Sequence, residues 1–168
     1  MESRAKILGH PAHQQLIVFP LGLLAMAVIF DIIYAVTAGT QWTSVSFYMI
    51  GAGLITGVIA AVFGVLDWLV IPRGTRAWRI ATAHGVGNLI VVLLFAGSFF
   101  LRGPNAATPP LWAFVLSYCG GFVALITAWL GGELVSRLGV GVDDDADLNA
   151  SNSLLTHERT GAPQPKSV

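Results

Sequence analysis

The chain has 168 residues, and its nine basic and nine acidic side chains give a formal net charge of zero. Hydrophobic residues make up 55% of the chain and charged residues only 11%. This composition is too apolar for an ordinary soluble domain of this length. It therefore excludes a soluble domain and predicts one domain embedded in a membrane.

Four apolar runs follow one another along the chain, at residues 16–36, 47–70, 80–101 and 111–135. Each has the roughly 20 mostly apolar residues that a helix needs to cross the hydrocarbon core. Backbone groups in lipid must be paired within the segment, so each run is predicted to be a transmembrane helix. The first run is longer than the apolar core of a signal peptide, about 7–15 residues, and is interpreted as a retained anchor.

The connecting segments are too short to hold another domain, since they cover only residues 37–46, 72–79 and 102–110. Short loops force consecutive helices to lie antiparallel. The predicted fold class is therefore all-α, an integral membrane up-down four-helix bundle over residues 1–142. From residue 143 the chain becomes acidic and then rich in polar residues and proline, which predicts a disordered cytoplasmic tail over 143–168.

The basic residues predict how this bundle is oriented. One side carries six of them, Arg4, Lys6, Arg73, Arg76, Arg79 and Arg137. The opposite side carries only Arg102. Because short basic loops stay in the cytoplasm, both termini are predicted to be cytoplasmic.

Motifs of soluble enzymes are missing from the sequence. It contains no phosphate-binding glycine loop, nucleophile elbow, HExxH or paired CxxC. The single Cys119 excludes an intrachain disulfide and a cysteine cage for a metal. A basic and aromatic patch typical of nucleic-acid binding is also missing. We therefore expect that the chain is not an enzyme on its own and binds no nucleic acid.

Polar side chains inside the apolar runs, or at their edges, are the candidate functional residues, because ionisable groups in lipid are expensive. At a rise of about 1.5 Å per residue, one such group from each helix falls within about two turns of the cytoplasmic rim: His13, Asp67, His84 and Glu133. Asn88 follows His84 by four residues and shares its helix face. The sequence predicts that His13 and His84 form a cofactor-binding pair, supported by the other polar residues.

Asp31 lies near the opposite end of the first helix and is a further candidate. It is 18 residues from His13, which equals five helical turns and predicts a shared face. Pro20 lies between them and favours a kink, which leaves the shared face open.

Some members of this set also have simpler interpretations. His10 precedes Pro11, and it either belongs to the cluster or only helps to begin the helix, with proline at the first helical position. Asp67 and Glu133 lie close enough to the rim to be interfacial anchors that pair with nearby arginines. For His84, ligation and a structural hydrogen bond between helices are equally open.

Several stretches of the chain also resemble a known family. They are Gly9-His10-Pro11-Ala12-His13, Phe19-Pro20-Leu21-Gly22, Asp31, Gly64-Val65-Leu66-Asp67, His84 with Asn88, Trp129-Leu130-Gly131-Gly132-Glu133-Leu134, and Gly139-Val140-Gly141-Val142. Over residues 9–142 the chain is similar to the bacterial four-helix membrane family catalogued as domain of unknown function 2231 (DUF2231). The resemblance implies a multi-pass protein of the bacterial inner membrane. Some relatives are joined to Rieske-type iron–sulfur or cytochrome domains, which implies membrane redox chemistry.

Three classes of function remain open at this point. The first is a membrane electron-transfer subunit that holds haem b between His13 and His84 and works with a redox partner protein. The second is a structural subunit whose polar groups join helices. The third is a transport module whose polar cluster binds a metal of unknown identity or relays protons. Four spans leave little room for a gated path, so this function would require the protein to form a homo-oligomer.

Overall fold

The computed structural model describes residues 1–103 and 106–154. A two-stranded antiparallel hairpin comes first, followed by one short helix and four long ones. The elements are β1 Lys6–Ile7, β2 His10–Pro11, α1 Ala12–Leu16, α2 Val18–Thr37, α3 Thr40–Trp68, α4 Arg76–Arg102 and α5 Leu111–Ser136. Among these described residues, four helical segments are long and apolar enough to cross a membrane, with α1 and α2 together forming the first, Ala12–Thr37. The predicted all-α bundle of four spans is confirmed.

The first span is interrupted at Ile17, between α1 and α2. Pro20 explains the position of the break, because proline has no N–H to offer the carbonyl four residues earlier and its ring crowds that turn. The chain continues across the interruption, since the N–H of Leu21 donates to the carbonyl of Ile17 at 3.1 Å. Pro20 thus separates a short entry helix that carries His13 from the long helix that carries Asp31.

The four spans pack in a ring around the bundle axis. The closest packing is between α4 and α5 and between α2 and α3, with lesser contacts of α3 with α4 and of α2 with α5. The remaining pairs, α2 with α4 and α3 with α5, therefore lie on the two diagonals of the bundle. The entry helix α1 packs mainly against α3.

Two helices begin earlier than the apolar runs predict. Helix α3 begins at Thr40, so the loop before it shrinks to Ala38 and Gly39. The polar first turn of α3 is helical because it packs against the segment before α5. The Thr43 hydroxyl is fully buried and donates to the carbonyls of Thr40 and Ala107, at 2.8 Å each. Helix α4 begins at Arg76, and Thr75 caps it by accepting from the N–H of Trp78 at 3.1 Å.

The buried core is small. Its cluster midway along the bundle consists of Leu24, Ala27, Ile50, Val91 and Phe95, and a further cluster of Ile71, Ala81 and Leu134 lies near the start of α4 and the end of α5. Large apolar side chains instead face outward on every long helix; Val58, Leu93 and Leu125 are 56%, 62% and 72% exposed. In water such a surface would be unfavourable, whereas in a bilayer it faces lipid.

Beyond α5, the described part of the predicted tail contains no helix or strand. Residues 143–154 form turns, and residues 155–168 lie outside the described part of the chain. The described turns return to the first residues of the chain: Lys6 pairs with Asp143 at 2.6 Å, and Ser153 lies 3.2 Å from the ring of His10.

Candidate functional site

His13 and His84 meet inside one end of the bundle, which we call the histidine end. The first comes from the entry helix α1 and the second from α4, so the pair crosses the α2–α4 diagonal. The two ring centroids are 6.5 Å apart and the ring planes are perpendicular. The predicted approach of these two histidines is therefore found in the structure.

Each imidazole is held by a backbone carbonyl of a neighbouring helix. Nδ1 of His13 lies 2.9 Å from the carbonyl oxygen of Ala60 on α3, and Nδ1 of His84 lies 2.8 Å from that of Thr127 on α5. A carbonyl oxygen can only accept, so both Nδ1 atoms carry the hydrogen. In a neutral ring this leaves a lone pair on each Nε2, which is the atom that binds metals.

Two glycines allow the rings to lie against the adjacent helices. A Cβ placed on Gly64 of α3 would meet the ring of His13 at 3.0 Å, and one on Gly131 of α5 would meet the ring of His84 at 3.1 Å. Both distances are shorter than ordinary van der Waals contact. The glycines therefore determine how deeply the imidazoles are seated.

The two Nε2 atoms differ in their surroundings. Asn88 lies one turn beyond His84, and its amide nitrogen is 2.9 Å from Nε2 of that ring, to which it donates. Among the described residues, Nε2 of His13 has no hydrogen-bond partner. His84 is thus satisfied at both nitrogens, and His13 at only one.

The structure does not bring the predicted carboxylates to the histidines, which corrects that part of the sequence analysis. Asp67 accepts hydrogen bonds from the hydroxyl of Ser3 at 2.7 Å and from the N–H of Arg4 at 2.9 Å. Glu133 pairs with Arg76 at 2.5 Å. Within residues 1–103 and 106–154, no three histidine, cysteine, aspartate or glutamate side chains are grouped closely enough to hold a metal ion. Asp67 and Glu133 lie at a depth similar to that of the histidines, but their side chains bind other partners at the end of the bundle.

His10 also lies outside the histidine pair. It is exposed in strand β2, and Pro11 occupies the cap position before α1 rather than the first helical position. The two-residue turn before it, Leu8 and Gly9, has positive φ at both positions, as a tight hairpin requires. His10 therefore belongs to the hairpin at the histidine end.

This hairpin and the residues after α5 meet at the histidine end. Gln14 donates to the carbonyl of Gly141 at 3.4 Å. Lys6 donates hydrogen bonds to the carboxylates of Asp143 and Glu2, and these bonds, the one to Asp143 foremost, raise the pKa of the Lys6 ammonium. Both ends of the described chain thus join in one set of polar contacts at the histidine end.

Asp31 lies at the opposite end of the bundle, which we call the arginine end, and its partner is Arg102. The two side chains are fully buried and Nη2 of Arg102 lies 2.5 Å from Oδ2 of Asp31. Arg102 also donates from Nε to the hydroxyl of Ser98 at 3.3 Å, and its guanidinium lies 5.1 Å from the centre of the Phe114 ring. This pair was not predicted from the sequence, because Arg102 was assigned to the loop at residues 102–110. A signal was available, since a carboxylate within a span needs a partner and Arg102 is the one basic residue at that end.

Two pockets in the described part of the chain lie away from the histidine pair. A pocket of about 540 Å³ lies at the arginine end, where Ser44, Tyr48 and Ala107 contribute to its lining. Another, of about 330 Å³, lies on the lipid-facing side of α2 and is lined in part by Val18 and Met26. The candidate site is thus defined by the histidine pair and its hydrogen bonds.

The fold and this site define a class, a multi-pass membrane protein of four spans with one imidazole pair across its bundle axis. The family model described as "Predicted membrane protein (DUF2231)" matches residues 9–144, and the chain belongs to that family. The match covers both histidines, Asn88 and the Asp31–Arg102 pair. Searches of curated proteins and of solved structures found no match.

Proposed function

We propose that His13 and His84 would hold a haem b, and that the protein is a membrane electron-transfer subunit. The observation that carries the proposal is the 6.5 Å spacing of two imidazoles whose Nδ1 atoms are both held by backbone carbonyls. Metal-binding histidines commonly donate their other ring N–H to such an acceptor, which fixes the tautomer and the ring orientation. Haem b, when bound, supplies one-electron chemistry.

The two imidazoles of His13 and His84 fit haem b better than they fit a metal ion that is held by protein ligands alone. His13 and His84 approach each other from different helices, and each imidazole would offer one nitrogen to the haem. A haem needs only two protein ligands, whereas a tetrahedral zinc site needs at least three, and the described residues offer no such group of three.

The chain's own residues orient the pair. The carbonyls of Ala60 and Thr127 hold the Nδ1 protons, and Gly64 and Gly131 allow the rings to approach α3 and α5. Asn88 occupies Nε2 of His84, so ligation requires its amide to turn away.

A structural role is the second candidate, and Asn88 favours it. With both nitrogens of His84 satisfied by protein, the imidazoles serve as polar links between helices. A proton relay across the membrane is less favoured, since the apolar core around Ile50 and Phe95 separates the histidine end from the arginine end.

The location and partners belong to the same proposal. The distribution of basic residues supports cytoplasmic termini, with the histidine end facing the cytoplasm of a bacterial inner membrane. A redox partner protein would then dock at this end, and the small residues on the helices would allow a homo-oligomer to form in the bilayer.

An absorption spectrum tests the assignment directly. The full-length protein is expressed with a haem precursor, purified in mild detergent and compared with His13→Ala, His84→Ala and, as a matched control, His10→Ala. We expect a Soret band in the wild type and in His10→Ala, and its loss in the other two variants. A haem-free wild type, or a band that persists in both His13→Ala and His84→Ala, would refute the proposal and leave the structural role.

A further inference from the structure

The arginine end contains four buried hydrogen-bonding atoms that no described protein group satisfies. They are Oδ1 of Asp31, Oγ of Ser46, Nη1 of Arg102 and Oγ of Ser117. Their side chains are at most 1% exposed, and each comes from a different long helix. Buried polar atoms are nearly always hydrogen-bonded, so each of these requires a partner.

Two of these side chains lie directly above the apolar core. Asp31 follows Ala27 by four residues on α2, and Ser46 precedes Ile50 by four residues on α3. Residues four apart share a helix face one turn from each other. Because Ala27 and Ile50 pack in the same core cluster, Asp31 and Ser46 occupy the next layer toward the arginine end.

The other two lie in the same layer. On α5, Ser117 precedes Gly120 by three residues, and a Cβ on Gly120 would meet the ring of Phe95 at 2.9 Å. On α4, Ser98 follows Phe95 by three residues and accepts from Nε of Arg102. All four helices thus place polar atoms just outside the core, in what we call the outer polar layer (Asp31, Ser46, Ser98, Arg102 and Ser117).

Ser98 also ties this layer to the turn that precedes Ser117. Its hydroxyl donates to the carbonyl of Ala113 at 2.7 Å, and Ala113 lies one turn before Ser117 on α5. The hydroxyls of Ser98 and Ser117 are therefore presented by facing turns of α4 and α5.

The chemistry of the four free atoms identifies the missing partner. Asp31 offers an acceptor, Arg102 a donor, and each serine hydroxyl can do either. The carboxylate and the guanidinium neutralise each other, so the layer has no net charge to attract an ion. Water matches this mixture, since it donates and accepts and makes two to four hydrogen bonds in buried sites.

We propose that the outer polar layer is an internal water site, in which ordered water bridges Asp31, Arg102 and the hydroxyls of Ser46 and Ser117. The site is independent of the histidine pair. It stabilises the diagonal ion pair by satisfying the oxygen and the nitrogen that the pair itself leaves free.

A structure of the full-length protein from a lipid mesophase, at a resolution that shows ordered water, tests the site. We expect at least one water within hydrogen-bond distance of both Oδ1 of Asp31 and Nη1 of Arg102. A dry layer would overturn the proposal. So would anomalous density after soaking in bromide, because it would identify an anion site instead.

Thermal unfolding in detergent gives a second test, because the melting temperatures of serine variants should change differently in a hydrated and in a dry layer. If water bridges the layer, Ser46→Ala and Ser117→Ala each remove one of its partners, and the melting temperature falls by about 2–4 °C. If the layer is dry, each change removes an unsatisfied hydroxyl and the melting temperature is unchanged or higher. Ser44→Ala, on the same helix but outside the layer, is the control.

Discussion

The two ends of the bundle are crossed by polar contacts of very different kinds. At the histidine end, two partly buried imidazoles face each other, and backbone carbonyls satisfy one nitrogen of each. At the arginine end, two charged side chains are fully buried and depend on each other. A neutral ring can be accommodated by the helix backbone, whereas a charge in a low-dielectric interior needs a counter-charge. We therefore expect changes at the histidine end to lower the stability of the protein less than changes at the arginine end.

Breaking the ion pair at the arginine end should give the largest effect. Arg102→Met leaves the carboxylate of Asp31 buried without a partner, and we expect a loss of about 3–5 kcal/mol in the free energy of unfolding. Thermal unfolding in detergent measures it, with exposed Arg79→Met as the control. The double variant Asp31→Leu/Arg102→Met should recover most of the loss, since it removes both charges. A single variant as stable as the control would contradict the importance of the pair.

At the histidine end, a methyl group added beside the imidazole should have an intermediate effect. Gly131→Ala places a Cβ at 3.1 Å from the ring of His84 and forces the ring to move, which costs about 1–3 kcal/mol. Gly132→Ala is a close control, because a Cβ there meets nothing within 4 Å. We expect lower thermal stability, and weaker haem retention where haem is bound, in Gly131→Ala only. Equal behaviour of the two variants would argue against the tight seat of the imidazole.

Removing the amide at His84 should have a smaller effect. Asn88→Ala deletes one hydrogen bond to Nε2, and we expect a loss of about 0.5–1.5 kcal/mol in the haem-free protein. Under the haem proposal the same change frees the ligating nitrogen, so the haem content after purification should be equal or higher. A large fall in haem content would show that Asn88 supports ligation rather than competing with it. Asn149→Ala, in the turns after α5, is the control.

The smallest effect is expected at the exposed ion pair of the histidine end. Glu133 and Arg76 are as close as Asp31 and Arg102, 2.5 Å, but their side chains are 17% and 52% exposed. Solvent screens such a pair, so Glu133→Gln should change the free energy of unfolding by about 0–1 kcal/mol. Salt titration of the melting temperature, in the wild type and the variant, checks the prediction. A loss as large as that of Arg102→Met would mean that burial does not distinguish the two pairs.

Much of the histidine end was predictable from the sequence. Histidines in apolar helices stand out, and helical rise placed His13 and His84 at similar depth. The directions of Asp67 and Glu133 were not predictable, since each lies at a rim where several partners compete. Asp67 accepts hydrogen bonds from Ser3 and Arg4, and Glu133 forms an ion pair with Arg76. Rotation about the helix axis, rather than depth, decided which polar groups met.

At the arginine end, fewer of the polar contacts could be predicted from the sequence than at the histidine end. Seventy-one residues separate Asp31 from Arg102, and the arginine lies at the edge of an apolar run, where a loop is the simplest interpretation. Only the packing of α2 and α4 across the bundle shows that it reaches inward. The serines gave no signal, because a buried serine and a lipid-facing serine look alike in a helix.

By itself, the sequence determined that the chain forms four membrane-spanning helices, because lipid leaves no other way to pair the backbone of long apolar runs. It also determined the family, through motifs spread from residue 9 onward. The tertiary structure alone decided which helices are diagonal and which side chains meet across them. Those contacts depend on how each helix is rotated and on close approaches at glycines such as Gly64 and Gly131, which composition and spacing do not specify.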